Sequence, residues 1–140
     1  MSKYDLEDDY DYDFNVLGIS CHEKDYRICW AINQILGVTM QKEESDIEVV
    51  VKKSNRYSLH AMFSLIDFEN EIDYRLVANR STMGFLVPEK PQADYIFIVT
   101  DHFQLDFKQM KQKINLIPFV LTTFEINLES LKSKDNLIFE

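Results

Sequence analysis

The sequence predicts an α+β fold: a two-layer sandwich with a mainly antiparallel (mixed) β-sheet and two amphipathic helices packed on one face. Three observations predict it. Residues 20–37 carry a wide apolar stripe at helical spacing, and Phe107, Met110 and Ile114 repeat that spacing later in the chain. Between them lie runs with the period of two that a half-buried strand requires. A helix stripe must be covered, and a sheet face offers a surface of the right width.

In chain order, residues 1–12 come first and are acidic. Within the first thirteen residues, Asp5, Glu7, Asp8, Asp9, Asp11 and Asp13 face a single Lys3, a local net charge of −5. Like charges at this density repel, so residues 1–12 read as a flexible acidic tail and residues 13–140 as one domain. The tail reads either as a lure for a basic partner or as a solubilising end. Phe14 to Ile19 is a short apolar run suited to a strand.

The stretch Ser20 to Gly37 reads as a helix marked at both ends. Ser20 with Glu23 has the capping-box spacing, and Gly37 stands where a left-handed C-cap favours glycine. Ile28, Cys29, Ile32, Ile35 and Leu36 form the stripe, with Tyr26 and Trp30 beside it. Thr39 to Asp46 reads as a loop. Ile47 to Val51 is β-branched and reads as a strand, with a turn over Lys52–Arg56.

Tyr57, Leu59, Ala61, Phe63 and Leu65 alternate with Ser58, His60, Met62 and Ser64. Ile72, Tyr74, Leu76 and Ala78 alternate again, so the two runs predict a hairpin turned at Asp67–Glu71. Asn79 to Ser81 reads as loop, and Phe85 to Val87 as a short strand stopped by Pro88. The run from Asp94 to Thr100 is apolar on both faces, which suits a central strand. Asp101 with Gln104 repeats the capping spacing before the second stripe, which Pro118 ends. Phe119 to Phe124 reads as a strand. A helical turn follows Asn127, and Leu137, Ile138 and Phe139 are expected to dock.

Composition narrows the function. The formal charge is −9 over 140 residues, −4 without the first thirteen, and no basic stripe interrupts it. Nucleic-acid affinity comes largely from Lys and Arg on phosphates, so nucleic acid is excluded as the expected partner. The same balance argues against an anionic membrane surface, and no apolar run reaches the length of a span. The two cysteines, Cys21 and Cys29, lie about 12 Å apart along one predicted helix, too far for a disulfide within it. Free thiols without a signal peptide point to the cytoplasm.

Chemistry-bearing candidates are few. His22 and His102 each follow a predicted strand, in the first turn of a helix. They converge on a metal or a proton only if those strands are neighbours, with Cys21 and Asp101 as further ligands. The helix dipole also gives Cys21 some nucleophile character, although no catalytic-cysteine signature surrounds it. The three glycines are scattered and form no phosphate loop, and no serine elbow is present. No catalytic residue is assigned and no cofactor is implied.

The remaining polar cluster is Asn79, Arg80 and Ser81 with Glu89, Asp94 and Tyr95. There Arg80 would hold an anionic group, with Asn79 and Ser81 as donors. The competing reading pairs Arg80 with Glu89 or Asp94, makes Asn79 a turn cap and packs Tyr95.

Val87-Pro-Glu-Lys-Pro-Gln-Ala-Asp-Tyr95 resembles the signature of the bacterial IPExxxVDY family, with valine for the first isoleucine and alanine for the later valine. The stretches D-F-N-V-L-G-I-S, H-E-K-D-Y-R-I-C-W, L-V-A-N-R-S and V-L-T-T-F-E-I are similar as well. The resemblance implies a small bacterial cytoplasmic protein with no assigned activity. It marks Pro88, Glu89, Asp94 and Tyr95 as motif positions. The reading that follows is a non-enzymatic interaction module, with a protein partner or a second copy as in a homodimer, and Tyr26 and Trp30 as its interface. The alternative is a small-ligand binder or enzyme at the Arg80 cluster.

Overall fold

The computed structural model describes residues 14–51, 56–101 and 106–137. Ten strands and two α-helices make up the regular structure of those residues. They are β1 (Phe14–Cys21), α1 (Asp25–Leu36), β2 (Gln41–Lys42), β3 (Ile47–Val51), β4 (Arg56–His60), β5 (Met62–Asp67), β6 (Ile72–Ala78), β7 (Arg80–Ser81), β8 (Gly84–Phe85), β9 (Tyr95–Asp101), α2 (Phe107–Asn115) and β10 (Val120–Ile126). Two 3₁₀ turns, Leu128–Ser130 and Lys134–Leu137, follow β10.

Six strands form one sheet in the order β10-β1-β9-β6-β5-β2, and every pair in it is antiparallel. The α+β sandwich with both helices on one face is therefore what the chain adopts. Ile28 and Ile32 of α1, with Phe107 and Ile114 of α2, cover Leu17, Ile19, Tyr74, Leu76, Phe97 and Val99 of the sheet. The Tyr74 and Phe97 rings stack across β6 and β9 at 6.5 Å.

The opposite face is buried too, without helices. Val16, Val77, Ile96 and Ile98 are covered by Val49 of β3, by Leu86, Val87 and Ala93 of the loop before β9, and by Leu128, Leu131 and Leu137. This double burial is why β9 is apolar on both sides.

The N-terminal end of α1 corrects the sequence reading. Ser20 is not a cap: it lies in β1, which runs on to Cys21, and its hydroxyl donates to the Gln92 carbonyl at 2.6 Å. The N-cap is Lys24, whose side chain makes no capping bond, and Glu23 instead pairs with Arg27 at 3.1 Å. Long-range bonds to the loop before β9 outweigh the local capping signal. The other end follows expectation. Gly37 sits at φ 70°, and the amides of Gly37 and Val38 both donate to the Asn33 carbonyl, a Schellman-type ending.

The long alternation over residues 57–65 is not one strand. It breaks at Ala61, and its first half, β4, joins β3 in a separate two-stranded sheet. There the phase is reversed from the expected one. Ser58 and His60 point inward and are buried, while Tyr57 and Leu59 are exposed. The inversion is tolerated because His60 is bonded on both ring nitrogens, to the Ser58 hydroxyl and the Ala78 carbonyl. Only β5 pairs with β6 as predicted, around a turn in which the Asp67 carboxylate accepts from the Asn70 amide.

Asp101 closes β9, and the cap of α2 is Asp106, which accepts from the Gln109 amide; Gln104 lies outside the described residues. Arg80 and Ser81, expected as loop, form a small hairpin with Gly84 and Phe85. The loop expected over Thr39–Asp46 contains the short strand β2. The acidic tail, most of the Lys52–Arg56 turn, His102, Ile138 and Phe139 fall outside the described residues.

Candidate functional site

β1 and β9 run side by side but in opposite directions, with Ile19 facing Tyr95 and Phe14 facing Thr100. The C-terminal end of β1 therefore meets the N-terminal end of β9. Cys21, His22 and Glu23 come from one, Asp94 and Tyr95 from the other, Ala78 from the end of neighbouring β6, and Arg80 from the start of β7. Together these seven residues line a concavity of about 290 Å³.

The Asp94 carboxylate and the Tyr95 hydroxyl are each held by another part of the chain, while the Glu23 carboxylate pairs locally with Arg27. The Asp94 carboxylate accepts from the Cys21 amide at 2.8 Å through one oxygen and meets Arg80 Nε at 3.1 Å through the other. Arg80 also donates to the Pro91 carbonyl at 3.1 Å, and its guanidinium lies over the Phe85 ring. The Tyr95 hydroxyl donates to the Glu23 carbonyl at 2.5 Å. Burial, followed by the nearby Cys21, Asp25, Asp94 and Glu23, pushes the Tyr95 phenol far above its ordinary pKa. It stays a neutral donor.

Asn79 is fully buried and lies behind the concavity, not in it. Its side chain donates to the carbonyls of Lys90 and Ala93, at 3.1 and 2.8 Å, and accepts from the Val87 amide at 2.7 Å. Its backbone adds bonds to Asp94 and Leu86. Glu89 points elsewhere: it accepts from the amides of Lys132 and Ser133 and from the Ser133 hydroxyl. Burial pushes the Glu89 carboxyl up, but the Ser133 hydroxyl and these amides outweigh it and leave its pKa below the ordinary value. Ser81 accepts from the Met83 amide within its own turn.

Of the six residues singled out from sequence, Arg80, Asp94 and Tyr95 converge on the concavity, whereas Asn79, Ser81 and Glu89 do not. Cys21, His22 and Glu23 join from about seventy positions upstream, as the separation of 73 between Cys21 and Asp94 shows. The clamp role of Asn79 had a local signal, an asparagine just after a strand, but its three partners are set by tertiary structure.

His102 lies outside the described residues, but the further ligands proposed beside the two histidines, Cys21 and Asp101, are kept apart by strand direction. Cys21 and Asp101, the residues before His22 and His102, stand at opposite ends of the antiparallel pair, roughly 25 Å apart at the rise of a strand. Among the described residues, no three His, Cys, Asp or Glu side chains are grouped to hold a metal ion. His22 is exposed and precedes α1 instead of lying in its first turn. Burial pushes the Cys21 thiol up, against the pull of the Glu23 amide, so Cys21 is a protonated thiol and not an activated nucleophile.

No protein-family model matches this chain, and no curated protein matches it. Function must therefore be read from the surfaces themselves. Tyr26 and Trp30 lie one turn apart on α1 and are 64% and 63% exposed. Arg27, between them in sequence, lies over the Phe119 ring at 5.1 Å.

Proposed function

We propose that this chain is a non-enzymatic protein-interaction module that associates with a second copy of itself through the outer face of α1. One observation carries the reading: Tyr26 and Trp30 present two large aromatic side chains to solvent from one rigid helix, next to an arginine already seated on a ring. Tyr, Trp and Arg are the residue types that dominate interface energetics. The candidate polar cluster is instead engaged in internal bonds. Asp94 ties β1 to Arg80, Tyr95 ties β9 to the entry of α1, and Glu89 ties the loop before β9 to the C-terminal turns.

The same reading takes the chain as a bacterial, cytoplasmic member of the IPExxxVDY family. Its support is that Glu89, Asp94 and Tyr95 of the V-P-E…D-Y segment each make a long-range structural bond, which gives a motif a reason to exist without an activity. Both cysteines are free and buried, which accords with a reducing compartment.

Trp30 is the sole tryptophan and reports directly on association. Sedimentation should show mass rising with concentration, and Trp30 emission should shift to the red on dilution. A Tyr26→Ala/Trp30→Ala variant should sediment as a monomer throughout. A wild-type chain that is monomeric at every concentration overturns the self-association.

A second reading, a small-ligand site, is favoured by the concavity beside Arg80. It requires a ligand anion able to compete with Asp94 for the guanidinium. Arg80→Ala should then abolish binding of small carboxylates or phosphates in calorimetry, and wild-type protein that binds neither removes this reading.

A further inference from the structure

We infer that the exposed face of α2 is a docking surface for the chain's own acidic N-terminal segment, residues 1–13. The face is a short basic stripe, a correction to the sequence reading, in which the acidic total charge hides it. Apart from its cap, Asp106, no acidic residue occurs until Glu125, while Lys108, Lys111 and Lys113 fall within the helix. Helical spacing places Lys108 and Lys113 on either side of exposed Gln109 and Gln112, with half-buried Lys111 at the border. None of the three lysines joins an ion pair among the described residues.

The occupant is identified by charge, position and reach. Residues 1–13 hold six carboxylates against one lysine, more net negative charge than any other stretch of that length elsewhere in the sequence. They join the fold at Phe14, which faces Thr100, one residue before the end of β9. From that strand end α2 is only six residues further along the chain, at most about 21 Å. Thirteen extended residues reach about 45 Å, and a nine-residue helix is about 14 Å long, so the segment can follow α2 from end to end. Its approach is from the N-terminal end of α2, where the helix dipole also favours negative charge. A tethered segment acts at high local concentration, so weak individual pairs suffice.

The test uses the full chain with Ser2→Cys carrying a nitroxide label. Cys21 and Cys29 are buried, so the label is selective. Paramagnetic broadening of the Lys108–Lys113 amide signals is expected at about 0.01 M salt, where screening is weak, and its loss at about 1 M. K108E/K111E/K113E should abolish it with the rest of the amide spectrum unchanged. The milder K108Q/K113Q should reduce it, which covers the case of a triple variant that fails to fold.

The inference is overturned if the α2 signals are not broadened at low salt, or if the broadening survives charge reversal. It is also overturned if broadening appears only when labelled protein is mixed with a separate isotope-enriched copy. That last result would place the segment on a neighbouring molecule.

Discussion

At the scale of single residues, the side chains that look most like a binding cluster mostly hold the chain to itself. Asn79 is the clearest case. Its amide spends both donors and its acceptor on three backbone groups of the loop that covers the second face of the sheet. Asn79→Ala would leave the Val87 amide and the carbonyls of Lys90 and Ala93 without those partners, beside Val87 and Ala93 that are themselves fully buried. An unsatisfied buried group costs about 1–3 kcal/mol, so the variant should lose about 3 kcal/mol in urea unfolding, well above a surface substitution. A loss under about 1 kcal/mol would mean the loop is held by apolar packing alone.

The same residue shows what sequence reading can deliver. That Asn79, Arg80, Asp94 and Tyr95 belong together was legible from their clustering and from the V-P-E…D-Y segment. Which of them face a common hollow was not, because the choice depends on β6 and β9 presenting alternate residues to opposite faces. Cys21 and Glu23 read from sequence as part of the helix, since the bonds that draw them to Asp94 and Tyr95 span more than seventy residues.

At the scale of elements, local signals succeeded where nothing distant competed. Gly37 ends α1 as its sequence context predicts, and β9 is central because no face of it is polar. They failed where tertiary bonds offered more. Ser20 stays in β1, and the alternating run at residues 57–65 splits between two sheets.

The β1–β10 pairing depends on a missing side chain. Gly18 faces Phe124 across the two strands, and a Cβ at Gly18 would come within 2.6 Å of two carbons of that ring. Gly18→Ala must therefore push the Phe124 ring off the covered face of the sheet. Overpacking of this kind costs about 1–3 kcal/mol. Because the obstacle is one ring, Phe124→Leu should relieve it: the double variant should be more stable than the sum of the single changes predicts, measured by urea unfolding as a double-mutant cycle. Strict additivity would show that the ring moves aside freely.

At the scale of the whole molecule, the question is what joins the β3–β4 sheet to the six-stranded one, and His60 supplies an answer with a pH signature. A carbonyl only accepts, so His60 Nδ1 carries the proton it donates to Ala78 at the end of β6, at 2.8 Å. In the neutral ring Nε2 is then an acceptor, and the Ser58 hydroxyl donates to it at 2.7 Å. Protonation would put a second proton on Nε2. The Ser58 hydroxyl would have to turn to the Val49 carbonyl, 3.5 Å away, and a charge would sit in a fully buried site. Burial accordingly lowers the His60 pKa below 6.5, and the Ala78 carbonyl and Asp46 oppose it only in part. With the folded pKa below the unfolded one, the unfolded chain binds more protons once the pH falls below about 6.5. The contribution of His60 is therefore complete above that pH and declines as the pH drops towards the folded pKa. Urea midpoints should fall between about pH 7 and about pH 5 in the wild type. A His60→Gln variant should be flatter over the same window, because carboxylates such as Glu89, held below its ordinary value, titrate further down. Hydrogen exchange should locate the loss, with β3 and β4 amides opening before those of β9. Equal loss in both sheets would mean that His60 is a packing residue of one core and not the link between two.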